Sequence, residues 1–187
     1  MESINRKNFI KKICLTGTCL CGFNAMGIAK NNGMHETEHQ RDDKNKCLSH
    51  EWLAILLNNI SDQMDENEMR ALLKGCSAAH FNNLGMDEKL AQYKYNLKEF
   101  ISFLESEWGW IVTHNKEENV IVVNENKPHC VCPLINRSNK TGLTSLCYCS
   151  EGFAERMFSF VIDRQISATV VSSIQRGDKN CIYRIVL

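Results

Sequence analysis

Apolar residues recur at two different periods along this chain, and the change of period divides it. Leu90, Tyr93, Leu97, Phe100, Ile101 and Leu104 are spaced by three and four, which predicts a helix from a cap at Asp87 to about Trp108, stopped by Gly109. Upstream, Trp52, Leu53, Ile55, Leu56 and Ile60 predict a shorter helix capped by Ser49. Asp65 with Glu68 three residues later has the form of a capping box, and Met69, Leu72, Leu73 and Cys76 follow on one helical face. Gly75 lies inside that helix, where a close helix contact would justify it. If the helix continues, Cys76 and His80 share one side of it at i,i+4.

After Gly109 the period falls to two. Trp110–His114, Val120–Val123 and Cys130–Ile135 read as strands separated by polar turns, with Pro133 marking the third as an edge strand or its end. A polar loop, 136–145, carries Gly142 as a hinge candidate. Ser150 then caps a helix with Phe153, Met157, Phe160 and Val161 on its apolar face. The segments 166–174 and 181–186 form a hairpin by spacing and turn chemistry, with Arg176-Gly177-Asp178 as a plain turn. Helices first and strands afterwards predict an α+β domain over 47–187: N-terminal helices packed on an antiparallel sheet of about five strands, with one crossover helix.

The head differs from this domain. Arg6, Lys7, Lys11 and Lys12 precede a weakly apolar stretch, 13–29, that ends in small residues, the order of an export signal. Arg6-Lys7-Asn8-Phe9-Ile10-Lys11 resembles a twin-arginine export motif with Lys in the second position, which implies export after folding and a periplasmic or cell-envelope location. An ordinary secretory signal is the alternative. Residues 30–46 hold one apolar residue, Met34, and read as a disordered linker in which His35 and His39 belong to a solvated tail.

Charge narrows the function classes. The chain has 22 basic and 22 acidic residues, with no basic stripe, so nucleic acid is not an expected partner. Loss of residues 1–29 would leave 18 bases against 21 acids and no membrane-spanning segment. The expected partners are export machinery and a small-molecule ligand or substrate.

The whole chain has ten cysteines, and seven follow residue 29: Cys47, Cys76, Cys130, Cys132, Cys147, Cys149 and Cys181. Three chemistries are open to the two Cys-x-Cys pairs. Cys130, Cys132, Cys147 and Cys149 supply the four ligands of a structural zinc site. Strand positions i and i+2 stand about 6.5 Å apart, so such a site requires a bend at Cys130–Cys132, which Pro133 permits. The same cysteines suit a disulfide ladder in an oxidising compartment, giving a non-enzymatic envelope protein. Cys149, just ahead of a predicted helix start, suits a nucleophile whose base is His80, His129 or His114, none fixed by spacing, with Glu151 opposing thiolate formation. His114, alone on a strand, reads as a surface residue. Cys76 and Cys181 join as further members of the site.

The segment Cys147-Tyr148-Cys149-Ser150-Glu151-Gly152-Phe153, its helix, residues 170–174 and Gly177-Asp178-Lys179-Asn180-Cys181-Ile182-Tyr183-Arg184-Ile185 resemble the C-terminal pattern of the L-2-amino-thiazoline-4-carboxylic acid hydrolase-like family. The ending is also similar to 4-vinyl-reductase-type small-ligand domains. The resemblance spans about residues 65–187. The first likeness implies hydrolysis of a C–N or C–S bond in a small cyclic amino-acid-like substrate; the second implies small-ligand binding with a metal. Cys147, Cys149 and Cys181 are the residues that match these motifs.

Overall fold

The computed structural model describes residues 38–135 and 143–187. The expected export signal, residues 30–37 of the expected linker and Gly142 lie outside these residues. Among the described residues, five helices, α1 (Glu38–Ser61), α2 (Glu66–Asn83), α3 (Met86–Ala91), α4 (Leu97–Trp108) and α5 (Cys147–Ile162), accompany four strands. The strands are β1 (Ile111–Asn115), β2 (Val120–Asn124), β3 (Ser167–Ser172) and β4 (Ile182–Val186). The sheet runs β1-β2-β4-β3 with every neighbouring pair antiparallel. The architecture is α+β, helices packed on a four-stranded antiparallel sheet.

Register decides which face of the sheet is buried. Ile121 lies opposite His114 and Ile185, Val123 opposite Tyr183, and Ala168 and Val170 opposite Ile185 and Tyr183. These apolar side chains alternate with exposed Val122, Thr169 and Arg184, as a sheet covered on one face requires. His114 is half-buried on this register instead of lying on the surface. The covered face meets Met157, Phe158 and Val161 of α5 and Phe100 and Leu104 of α4 in one core. On α5, Phe158 supplies the fully buried ring, and Phe160 only borders the core.

Several boundaries differ from the sequence expectation. The Asp65 capping box forms as expected: the carboxylate accepts from the N–H groups of Asn67 and Glu68, and Glu68 reaches back to the Asp65 N–H. Gly109 ends α4 with φ 66°, a left-handed geometry that glycine adopts without a Cβ penalty. The single helix expected from Asp87 to Trp108 is two, because the chain breaks between Ala91 and Leu97, where Tyr95 has φ 63°. Gly85 and Asn96, not Asp87, stand at the two N-termini.

α1 starts at Glu38, within the stretch that hydropathy reads as linker, and Ser49 lies inside it with Oγ donating to the Asn45 carbonyl. Cys130–Ile135 forms no strand. It turns over α1 as irregular chain, and a ring nitrogen of His50 lies 3.2 Å from the Pro133 carbonyl oxygen. α5 begins at Cys147, led in by a 3-10 turn at Thr144–Leu146, so Ser150 is not its cap.

Gly152 explains how α2 and α5 pack. A Cβ there would collide with the Lys74 backbone carbonyl and lie 2.7 Å from Ser77 Oγ, so only glycine permits this approach. Gly75 meets nothing within 4 Å, and the close helix contact expected there is made at Gly152. Beside Gly152, buried Glu151 accepts from the Val170 N–H at 2.9 Å and faces Lys74 Nζ at 3.5 Å and Arg70 at 3.6 Å. Lys74 also donates to Glu155 at 2.7 Å and to the Ala168 carbonyl at 3.0 Å, tying α2, α5 and β3 together. Burying charge is tolerable only with such partners.

Candidate functional site

Between α1, α2, the N-terminal half of α5 and the 130–135 segment lies a cavity of about 950 Å³. Leu53, Leu56, Leu57 and Ile60 of α1 form one wall, and Leu72, Leu73 and Cys76 of α2 another. Wall residues Leu72, Val131 and Leu134 are also exposed, so the cavity opens to solvent. The α1 contribution follows from its periodicity: Leu53, Leu57 and Ile60 recur at four and three, facing Met69 and Leu73 in a second apolar cluster.

Six thiols line this cavity: Cys76, Cys130, Cys132, Cys147, Cys149 and Cys181. All seven cysteines of the described residues are free thiols. Cys132 lies within electrostatic range of Cys130, Cys149 and Cys147, and Cys181 of Cys130 and Cys147, so the two Cys-x-Cys pairs do meet in space. Among the described residues, however, no three His, Cys, Asp or Glu side chains gather in a form that could hold a metal ion. The four proposed zinc ligands therefore face the cavity as neighbouring thiols.

Burial dominates their acid–base character. It pushes Cys132 and Cys181 up to about 12, and raises Cys147 and Cys149 as well. Cys147 donates to Ser173 Oγ at 3.1 Å, which partly offsets its burial. At Cys149 the neighbouring Cys76 adds to the burial effect. At Cys149, burial opposes the thiolate that a helix start favours. Glu151 points into the α2–α5 seam and is absent from the cavity wall.

His80 lines the cavity, stacked on Phe153 with ring centroids 4.6 Å apart, and burial lowers its pKa so that the neutral imidazole is favoured. His129 is exposed and is not among the wall residues. Of the residues singled out from sequence, the cavity brings together His80 and the six thiols.

The sheet adds residues that sequence alone does not reveal. Tyr183, buried on β4, donates its hydroxyl to Glu125 Oε1 at 2.7 Å, and both line the cavity. Burial raises the Glu125 carboxyl above the ordinary carboxylate range, against the hydrogen bonds from Tyr183 and Cys181. The alternation of β4, which points Cys181, Tyr183 and Ile185 to one side, was the available signal. Nothing in the turn after β2 marks Glu125.

Fold and site define the class: an α+β protein with an open, apolar, thiol-lined cavity beside its helical layer. The profile of a family of unknown function, DUF6144, matches residues 26–187, and the chain belongs to that family. No curated protein matches the chain. Among solved structures, trafficking protein particle complex subunit 3 from Naegleria fowleri, crystallised covalently bound to palmitic acid, is similar to it. That likeness covers 75% of this chain and 95% of the other, at 15% identity and a TM-score of 0.45. Among the described residues, no helix is long and apolar enough to cross a membrane.

Proposed function

We propose that this is an exported binding protein for a small, predominantly apolar molecule held in the cavity between α1, α2 and α5. The carrying observation is the cavity itself: its volume of about 950 Å³ lies at the upper end of the roughly 300–1,000 Å³ usual for ligand pockets, and leucines, isoleucines and thiols form most of its wall. A cavity open to water and lined in this way gains from an apolar occupant. The basic-then-apolar order of residues 6–29 supports the exported part of the reading. Recovery of uncut protein from the cytoplasm alone would contradict that part.

The thiol chemistry supports binding ahead of catalysis. Hydrolysis through Cys149 with His80 as base needs an ionised sulfur or a base ready to ionise it. Burial favours the Cys149 thiol over its thiolate, and although the neutral imidazole of His80 is the proton-accepting form, among the described residues no hydrogen bond joins it to Cys149. A zinc role for Cys130, Cys132, Cys147 and Cys149 predicts stoichiometric metal in natively prepared protein.

The test is titration of the full-length protein with dodecanol, beside a Cys76→Phe/Ala79→Phe variant that places two rings in the wall. Native protein binds in the micromolar range, about −8 kcal/mol, and the variant binds at least about tenfold more weakly with its thermal midpoint retained. Equal binding by both proteins, or stoichiometric zinc with no dodecanol binding, contradicts the proposal.

A further inference from the structure

Glu125 is out of place in an apolar wall. Its backbone N–H donates to the Cys181 carbonyl, which fixes it where β2 leaves the sheet, and Tyr183 holds its carboxyl in the cavity wall. The groups that bear on it are Tyr183, Cys181, Cys147 and Lys127. Tyr183 and Cys181 are neutral donors to it, while the Cys147 thiol donates to Ser173. Lys127, the one lysine or arginine among the described wall residues, sits over Gly109 at the C-terminal end of α4 and has the smallest influence on the carboxyl of those that act on it. Exposed Glu107 stands in the same wall, so carboxylates outnumber ammonium groups around the cavity.

A carboxyl in apolar surroundings discriminates between ligand head groups by charge. A protonated nitrogen adds a counter-charge to a wall in which Lys127 is the one ammonium among the described residues, and charge-assisted hydrogen bonds are roughly twice as strong as neutral ones. A ligand carboxylate would instead bring like charges together out of water. An alcohol exchanges one neutral hydrogen bond for another and gains little. We propose that Glu125 is a specificity determinant of the cavity, selecting apolar ligands with a protonated amine at one end. This rests on the cavity being the ligand site.

A bound cation would favour the ionised Glu125 carboxyl, against the burial that raises it. The experiment compares dodecylamine, dodecanol and dodecanoate by competition on full-length native protein and on Glu125→Gln. On native protein the amine binds about tenfold tighter than either other probe, and Glu125→Gln removes that advantage. A retained thermal midpoint shows that the variant is folded. An amine that binds no better than dodecanol or dodecanoate overturns the inference and leaves the cavity reading standing, as does an amine advantage that survives Glu125→Gln. Binding of none of the three overturns the cavity reading, and this inference with it.

Discussion

Two faces of α2 solve opposite problems. Toward α5 it is packed until only a glycine fits, with Gly152 against the Lys74 backbone and Glu151, Glu155, Lys74 and Arg70 joined in one polar network. Toward α1 and the 130–135 segment, Leu72, Cys76 and His80 leave a cavity of about 950 Å³. Helix interfaces normally close to crystal-like density. An unfilled volume beside so tight a seam therefore reflects the choice of side chains and the path of residues 130–135, not loose helices. The seam fixes the frame, and the cavity is what the frame holds open.

The largest expected effect breaks the seam. Gly152→Leu drives a side chain into the Lys74 backbone, which cannot give way as a flexible side chain would. Destabilisation of about 3 kcal/mol or more is expected in chemical denaturation, with the midpoint lowered and the slope retained. An unchanged midpoint would mean that the two helices are not in contact as described. The contrasting substitution, Gly75→Ala, sits in the same helix pair with open space around it. It should stabilise by about 0.5–1 kcal/mol, through helix propensity and a less flexible unfolded chain. Together the two glycines locate the tight side of α2.

Much of the frame was legible in the sequence because local chemistry sets it. The Asp65–Glu68 capping box, the stop at Gly109 and the alternation of β4 depend on residues close in the chain. The misread elements each have a tertiary cause. Leu90, Tyr93, Leu97 and Phe100 kept helical spacing across a break because residues of α3 and α4 pack into the same core. The alternation of Cys130–Ile135 suggested a strand, but no neighbouring strand pairs with it. Residues 38–45, the first two turns of α1, contain no apolar residue, so periodicity had nothing to report there.

The site was legible only in part. Cys76 and His80 followed from i,i+4 spacing, and the two Cys-x-Cys pairs do converge. Their chemistry depends on burial, which at Cys149 favours the thiol and so opposes the effect of the helix start. Glu125 enters through the β2–β4 register, which links positions 58 residues apart in its bond to Tyr183. No short-range signal carries that pairing.

Site-resolved alkylation tests the central claim most directly, because the molecule carries its own control. Cys76 and Cys47 are both exposed, and only Cys76 lines the cavity. Native full-length protein is treated with iodoacetamide at neutral pH, with and without saturating dodecanol, and the modification at each cysteine is followed by mass spectrometry. The account predicts that dodecanol slows Cys76 by about tenfold while Cys47 is unaffected, and that Cys132 and Cys181, held near 12, stay slow throughout. Cys76 and Cys47 reacting at rates that dodecanol leaves unchanged would contradict it.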